Sequence, residues 1–193
     1  MSNSSLLDSF VFSGDTGSIH FNGVRYMIIR PETICTLQKL VEEQLGAAGA
    51  DIFFSSGFTG GKMSTMKYME SFGLSREDAV RYMCDMGGQI GWGKFILEEF
   101  DVSSERISVR VLNSPFAAYY GESEKPVCHF IRGIIAGVAF GVFGQFTEVV
   151  ETHCLSKKDT FCRFETVEKS EAVTGQPKKR PCKVSVDCEL SCK

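Results

Sequence analysis

Four residues in the second half of the chain have the types and order to hold a soft divalent metal ion: Cys128, Glu151, Cys154 and Cys162. Thiolates favour zinc over magnesium or calcium, and a carboxylate is an acceptable fourth donor in a closed tetrahedral sphere. Glu151 and Cys154 are three apart, Cys162 returns after a seven-residue loop, and Cys128 stands at the head of an apolar segment. No paired Cys-x-x-Cys knuckle is present, so spacing alone leaves buried thiols as an equal reading. His129 and His153 adjoin the set and are alternatives to Glu151, although polar residues beside a metal are the plainer reading of both. Three thiolates, a carboxylate and a divalent ion leave an excess of negative charge, which Lys157, Lys158 and Arg163 are close enough in sequence to offset. Four protein ligands leave no open position for water or substrate, and no base stands beside them. The chemistry expected is therefore structural: a clamp joining the start of a helix to a strand pair.

The elements that must position these residues are legible from periodicity. Partial alternation from Ser18 to Ile29 suggests a hairpin turning at Asn22-Gly23. Pro31 and Glu32 open a helix, with Ile34, Leu37, Leu40, Val41 and Leu45 at helical spacing and Gly46 as its stop. A Gly-rich stretch (Gly57, Gly60, Gly61) precedes a weaker helix from Met63 to Phe72. Ser75 and Asp78 form a capping box for the next helix, which carries Ala79, Met83 and Met86. After Gly87-Gly88 and Gly91-Trp92-Gly93, alternation from Lys94 to Val111 predicts two antiparallel strands joined near Ser103-Ser104. A loop over 121–126 leads to a helix from about Cys128 to Phe146, then a strand pair carrying Val149 and Glu151, and Phe161 and Phe164.

The 193 residues, net charge of -3 and eight cysteines describe an ordinary globular chain with no basic surface for nucleic acid. Met1 to Asp15 lacks a basic stretch ahead of an apolar run, and the apolar run Gly133 to Phe146 is too short to span a bilayer. A cytoplasmic protein is expected. Structural disulfides are uncommon there, so the cysteines need another account. Cys35 and Cys84 sit alone in apolar surroundings and read as small hydrophobes.

Gly133, Gly137 and Gly141 fall along one stripe of the helix that follows Cys128. Either the helix packs tightly there, or the missing side chains leave a cavity. Candidates to line such a pocket are Trp92, Phe95, Phe116, Tyr119, Tyr120, Phe130, Ile134 and Phe140, although each also suits ordinary core or rim. Arg132, the charged residue of this helix, suits an anionic ligand group or a solvated helix edge.

Several motifs occur together in order: Asn113-Ser114-Pro115-Phe116-Ala117, Pro126-Val127-Cys128-His129-Phe130, Gly133, Gly137, Glu151-x-x-Cys154 and Asp159-x-x-Cys162-Arg163-Phe164. With Gly91-Trp92-Gly93 and the earlier Gly23, Tyr26 and Pro31, they resemble the vinyl-reductase-like domain family. That family is related in fold to Golgi transport-particle subunits and to the sensor domain of aromatic-responsive activators. The resemblance covers about residues 18 to 166. It implies an α+β fold, helices packed on an antiparallel sheet of the NO-signalling/Golgi-transport ligand-binding type. It also implies zinc on Cys128, Glu151, Cys154 and Cys162, a small hydrophobic or aromatic ligand, and pairing as a homodimer. The family has glycine where this chain has Lys158, so a turn needing positive φ there would strain the loop.

On this reading residues 1–17 are an N-terminal segment, 18–166 the ligand-binding domain, and 167–193 a flexible tail. The tail holds Lys178-Lys179-Arg180 and Cys182, Cys188 and Cys192, which suit a second metal, disulfide exchange or docking on a protein partner. The preferred function is a ligand-binding module reporting to a partner or through a dimer. The alternative is a tetrapyrrole vinyl reductase or an accessory protein of tetrapyrrole metabolism. A reductase needs a hydride or electron source, and Gly57-x-x-Gly60-Gly61 lacks the context of a dinucleotide fingerprint.

Overall fold

The computed structural model describes residues 6–21 and 23–167. The Asn22 turn position and the readings placed on Lys178 to Cys192 lie outside the described residues. A 3-10 turn (Leu6–Ser9) leads into β1 (Phe10–Ser13), β2 (Ser18–Phe21) and β3 (Val24–Tyr26), an antiparallel sheet in that order. Helices α1 (Pro31–Leu45), α2 (Ala47–Phe72) and α3 (Arg76–Gln89) follow. Then come β4 (Lys94–Asp101), β5 (Arg106–Leu112), α4 (Pro115–Tyr120), α5 (His129–Phe143), β6 (Val149–His153) and β7 (Cys162–Thr166). The second sheet has the order β4-β5-β7-β6 and is antiparallel throughout. The architecture is α+β with helices packed on an antiparallel sheet, as expected. No helix among the described residues is long and apolar enough to cross a membrane.

Alternation along β5 and β7 turns Ile107, Val109, Val111, Cys162 and Phe164 to one face, where they meet Ile131, Ile135, Val138 and Val142 of α5 in the main core. A smaller core of Phe21, Tyr68 and Met86, flanked by Phe10, Tyr26 and Tyr82, fastens the first sheet to α2 and α3. There the Tyr26 and Tyr68 hydroxyls share a hydrogen bond. Local signals set the helix ends. Pro31 opens α1, Gly46 closes it at φ 57°, and the Ser75 hydroxyl accepts from the Asp78 amide at 3.2 Å.

The Gly-rich stretch is where the structure departs from the sequence expectation. The helix predicted over Met63 to Phe72 begins sixteen residues earlier, and Gly57, Gly60 and Gly61 lie inside it. The reason is α5. A Cβ on Gly57 or Gly61 would lie 2.1 or 2.2 Å from the carbonyl oxygens of Phe130 and Ile134. One on Gly133 or Gly137 would lie 2.1 or 2.2 Å from those of Phe54 and Phe58. The contact pairs advance together along both helices, so α2 and α5 run side by side in the same direction with backbones touching. Glycine's intrinsic cost in a helix, about 1 kcal/mol each relative to alanine, is offset by this contact. Between the two readings of the α5 glycine stripe, tight packing is the outcome.

Three smaller differences have local causes. The six-residue α4, started by Pro115, is too short for periodicity to announce. Helix α5 stops at Phe143, because Gly144 takes the left-handed conformation. On α1 the buried positions are Cys35 and Gln38, while Leu37, Leu40 and Leu45 are about half exposed. Gln38 is held inside by donating to the Val127 carbonyl at 2.8 Å.

The helix contact gives opposite expectations for two glycines. Gly133→Ala should destabilise by about 3 kcal/mol or more, because backbone atoms have nowhere to move. Gly60→Ala meets only Ile134 Cδ1 at 3.5 Å and should stabilise by about 0.5 to 1 kcal/mol. Urea unfolding of both variants checks the contrast.

Candidate metal centre

Four different local devices deliver the four donors. Cys128 is the N-cap residue of α5, and its own N–H donates to Glu151 Oε2 at 2.9 Å. Glu151 points inward from β6. In a regular strand a residue three further on would face outward. The β6–β7 register shifts between Glu151 and His153, and this bulge restores Cys154 to the inner side. Cys162 opens β7 opposite Val111 and faces inward with it.

The loop between Cys154 and Cys162 is held at several points. The Cys154 N–H donates to Asp159 Oδ2 at 2.8 Å, and the Leu155 N–H donates to Cys162 Sγ at 3.4 Å. The Ser156 hydroxyl donates to the Ala117 carbonyl of α4 at 3.0 Å. Ser114 Oγ lies 3.9 Å from Cys128 Sγ, so the Asn113-Ser114-Pro115 motif borders the cluster as well.

All four residues are buried, and their donor atoms lie within 4.8 Å of one another. Cys128 Sγ and Cys162 Sγ are 3.8 Å apart. Zinc–sulfur bonds of about 2.3 Å in a tetrahedron require sulfurs about 3.8 Å apart, so the spacing fits an ion of that size. Glu151 supplies the second test. Its Oε1 is buried and has no hydrogen-bond partner, an arrangement that costs several kcal/mol unless a cation or proton meets it. The residues present fit a closed site for a soft divalent ion.

The protonation of the bare cluster agrees with that reading. Burial, reinforced by the Cys154 thiolate, pushes Glu151 up to about 8. Hydrogen bonds from the Cys128 and Cys162 thiols hold Cys154 well below the usual thiol range, while the bond to Cys154 pushes Cys128 well above it. One anion among four donors is what a dry pocket tolerates by itself. A divalent ion replaces protons on the others, so uptake releases protons and weakens as pH falls.

The histidines take no part. His129 faces Glu42 at 3.5 Å, and His153 stacks against Phe161 at 5.1 Å. The cations expected to offset the charge also lie elsewhere. Lys158 pairs with Glu122 at the surface, Lys157 is exposed, and Arg163 joins Glu98 on the far face of the sheet. Strand alternation explains the last: with Cys162 inward, Arg163 must point outward.

The pocket candidates divide into groups. Trp92, Phe116 and Phe130 pack together with ring centres 5.6 to 5.8 Å apart. Phe95 lies against Gly87, Phe140 packs on Phe58 beneath the Lys62 ammonium, and Tyr119 is about half exposed. Tyr120 donates to Glu42 at 2.7 Å. Of the candidates, Ile134 borders a small apolar cavity of about 20 Å³ between α3, β5 and α5. Its other walls are Val80, Met83, Cys84, Ile107, Val109, Ile135 and Val138. Sequence reasoning missed these aliphatic positions, since nothing separates a cavity-lining valine from a packed one. Cys84 alone differed chemically, and burial pushes its thiol up to about 12.

Residues 107–168 match the family model of the vinyl-4-reductase domain, a segment that contains all four donors. The resemblance drawn from the motifs therefore holds where they are densest. The phenol regulator MopR of Acinetobacter guillouiae is 27% identical over 170 residues, covering 82% of this chain and 30% of that protein. An uncharacterized protein of Methanocaldococcus jannaschii is 34% identical over 64 residues, covering 33% of this chain and 40% of that protein. The chain thus spans less than half the length of these curated relatives. Among solved structures, the phenol-responsive sensory domain of the transcription activator PoxR, with phenol, superposes with a TM-score of 0.75. It is 18% identical, and the match covers 89% of this chain and 93% of that one, a likeness of fold.

Lys158 closes the 3-10 turn after Cys154 with φ 70° and ψ 16°, the left-handed region where a side chain is strained. The positive φ anticipated for this position is present. Lys158→Gly should therefore stabilise the domain by about 1 kcal/mol, since the exposed ion pair it removes contributes little. Thermal or urea unfolding reads this directly.

Proposed function

We propose that this domain is a small-molecule sensing module in which a structural zinc ion joins Cys128, Glu151, Cys154 and Cys162 beside an apolar ligand site. The observation that carries the zinc is the buried set of three thiols and one carboxylate with its orphaned Glu151 oxygen. When bound, the ion acts as a fixed cross-link and presents no open coordination position. Cys128 ties it to the start of α5, Glu151 and Cys154 to β6 and its loop, and Cys162 to β7. The helix that walls the cavity is thereby held against the sheet that forms its floor.

Support for the ligand comes from the cavity itself and from the phenol-sensing relatives that share this fold. The space accommodates a water-sized group as it stands. An aromatic ring enters by displacing the longer wall side chains, Met83 and Ile134. All eight wall residues are apolar apart from the Cys84 thiol, so the ligand is held by burial of apolar surface. Signal output runs through a partner or a second copy. Helices α1 and α2 leave Leu37, Leu40, Ile52, Met63 and Met66 about half exposed, and such apolar patches mark interaction sites.

Elemental analysis of the purified chain should find one zinc per polypeptide, and Cys162→Ser should lose both the metal and much of the thermal stability. Full stoichiometry in that variant would remove the assignment. Benzene, toluene and phenol should each raise the melting temperature of the loaded protein, and Val138→Phe, which fills the cavity, should abolish the rise. Light scattering tests the pairing, with the mass of a single chain counting against a homodimer.

A further inference from the structure

Arg132 is the one charged residue of the otherwise apolar α5, and it is half-buried where α5, α2 and β6 meet. Its Nη1 donates to the Val149 carbonyl at 3.4 Å, and its guanidinium lies 4.5 Å from the centre of the Phe54 ring. Neither partner carries a full charge, and a cation drawn out of water with only such partners is costly. Its position suggests where the compensating charge lies. The Arg132 N–H donates to the Cys128 carbonyl at 2.9 Å, one helical turn away. Val149 stands two residues before Glu151 on the same buried side of β6. Burial lowers the pKa of Arg132, and the carboxylates of Glu151, Asp51 and Glu148 oppose that, Glu151 most strongly.

The metal reading makes the charge balance explicit. Three thiolates and a carboxylate around a divalent ion sum to a net charge of minus two. The neighbouring cations are committed elsewhere: Lys158 to Glu122 at the surface, Arg163 to Glu98 across the sheet, while Lys157 is exposed and His129 faces Glu42.

We propose that Arg132 is the counter-charge of the metal centre, a positioning residue that offsets the net negative charge of the loaded site from behind its ligands. The proposal rests on the metal reading and adds to it a residue outside the ligand set. It assigns to Arg132 neither ligand contact nor solvent exposure, the two roles its sequence position suggested. A purely structural role, bridging Val149 and Phe54, depends on the planar guanidinium and predicts that lysine is no better than glutamine. A charge role predicts that lysine rescues.

The test is titration of the metal-free full chain with Co²⁺, followed by thiolate-to-cobalt absorption in competition with a chelator. It compares the wild type with Arg132→Lys, Arg132→Gln and Arg132→Met. Arg132→Gln and Arg132→Met should bind Co²⁺ about 10- to 100-fold more weakly, and Arg132→Lys within a few-fold of the wild type. Should Arg132→Met fail to fold, the lysine and glutamine variants decide the matter. Glutamine binding as tightly as the wild type, or lysine binding as weakly as glutamine, overturns the proposal. A wild type that takes up no Co²⁺ overturns the metal reading itself, a result distinct from either.

Discussion

The close contact of α2 and α5 is the constraint on which the rest of the structure depends. Four glycines bring the two backbones together at distances that no side chain permits. This leaves α5 free to press its opposite, branched face, with Ile131, Ile135, Val138 and Val142, against the sheet. The start of α5 is fixed by the same packing, so Cys128 stands over the inner ends of β6 and β7. The donor cluster is therefore a consequence of a helix pair whose contact lies on the other side of α5.

The cluster shows how a core tolerates chemistry that it would otherwise exclude. Three thiols and a carboxylate cannot all ionise in a dry pocket, and the protons they retain are the sign of that. Backbone N–H groups of Cys128 and Leu155 donate to Glu151 and Cys162, offering partial positive charge without a side chain. A cation is the remaining requirement. The strain at Lys158 and the bulge at Glu151 lie on either side of Cys154, so irregular backbone concentrates where the donors converge.

The ligand site has the opposite character. Its walls are aliphatic, it borders α3 as well as α5, and the aromatic residues that stand out in the sequence lie mostly in packed clusters elsewhere. Chemical distinctiveness is a good guide to metal ligands, because few residue types can do that work. It is a poor guide to apolar pockets, where valine and isoleucine line a space or fill it according to what stands opposite.

Much was legible in the sequence. The caps at Pro31, Gly46 and Ser75, the strand alternation of β4 and β5, and the four donors with their order are local or compositional signals that survive folding. The α+β class follows from them. What needed tertiary structure was everything decided by a neighbour. The glycines at 57, 60 and 61 read as a loop until α5 supplied backbone for a helix to lie against. Leu37 and Leu40 looked like core until Gln38 found the Val127 carbonyl and turned them outward. Arg163, adjacent to a donor in sequence, faces away from it, while Arg132, nineteen residues from the nearest donor on β6, sits behind it. Sequence by itself determined which groups could hold a metal, because that is a property of the groups. Only the packed structure decided which charges face them, because that depends on which surfaces meet.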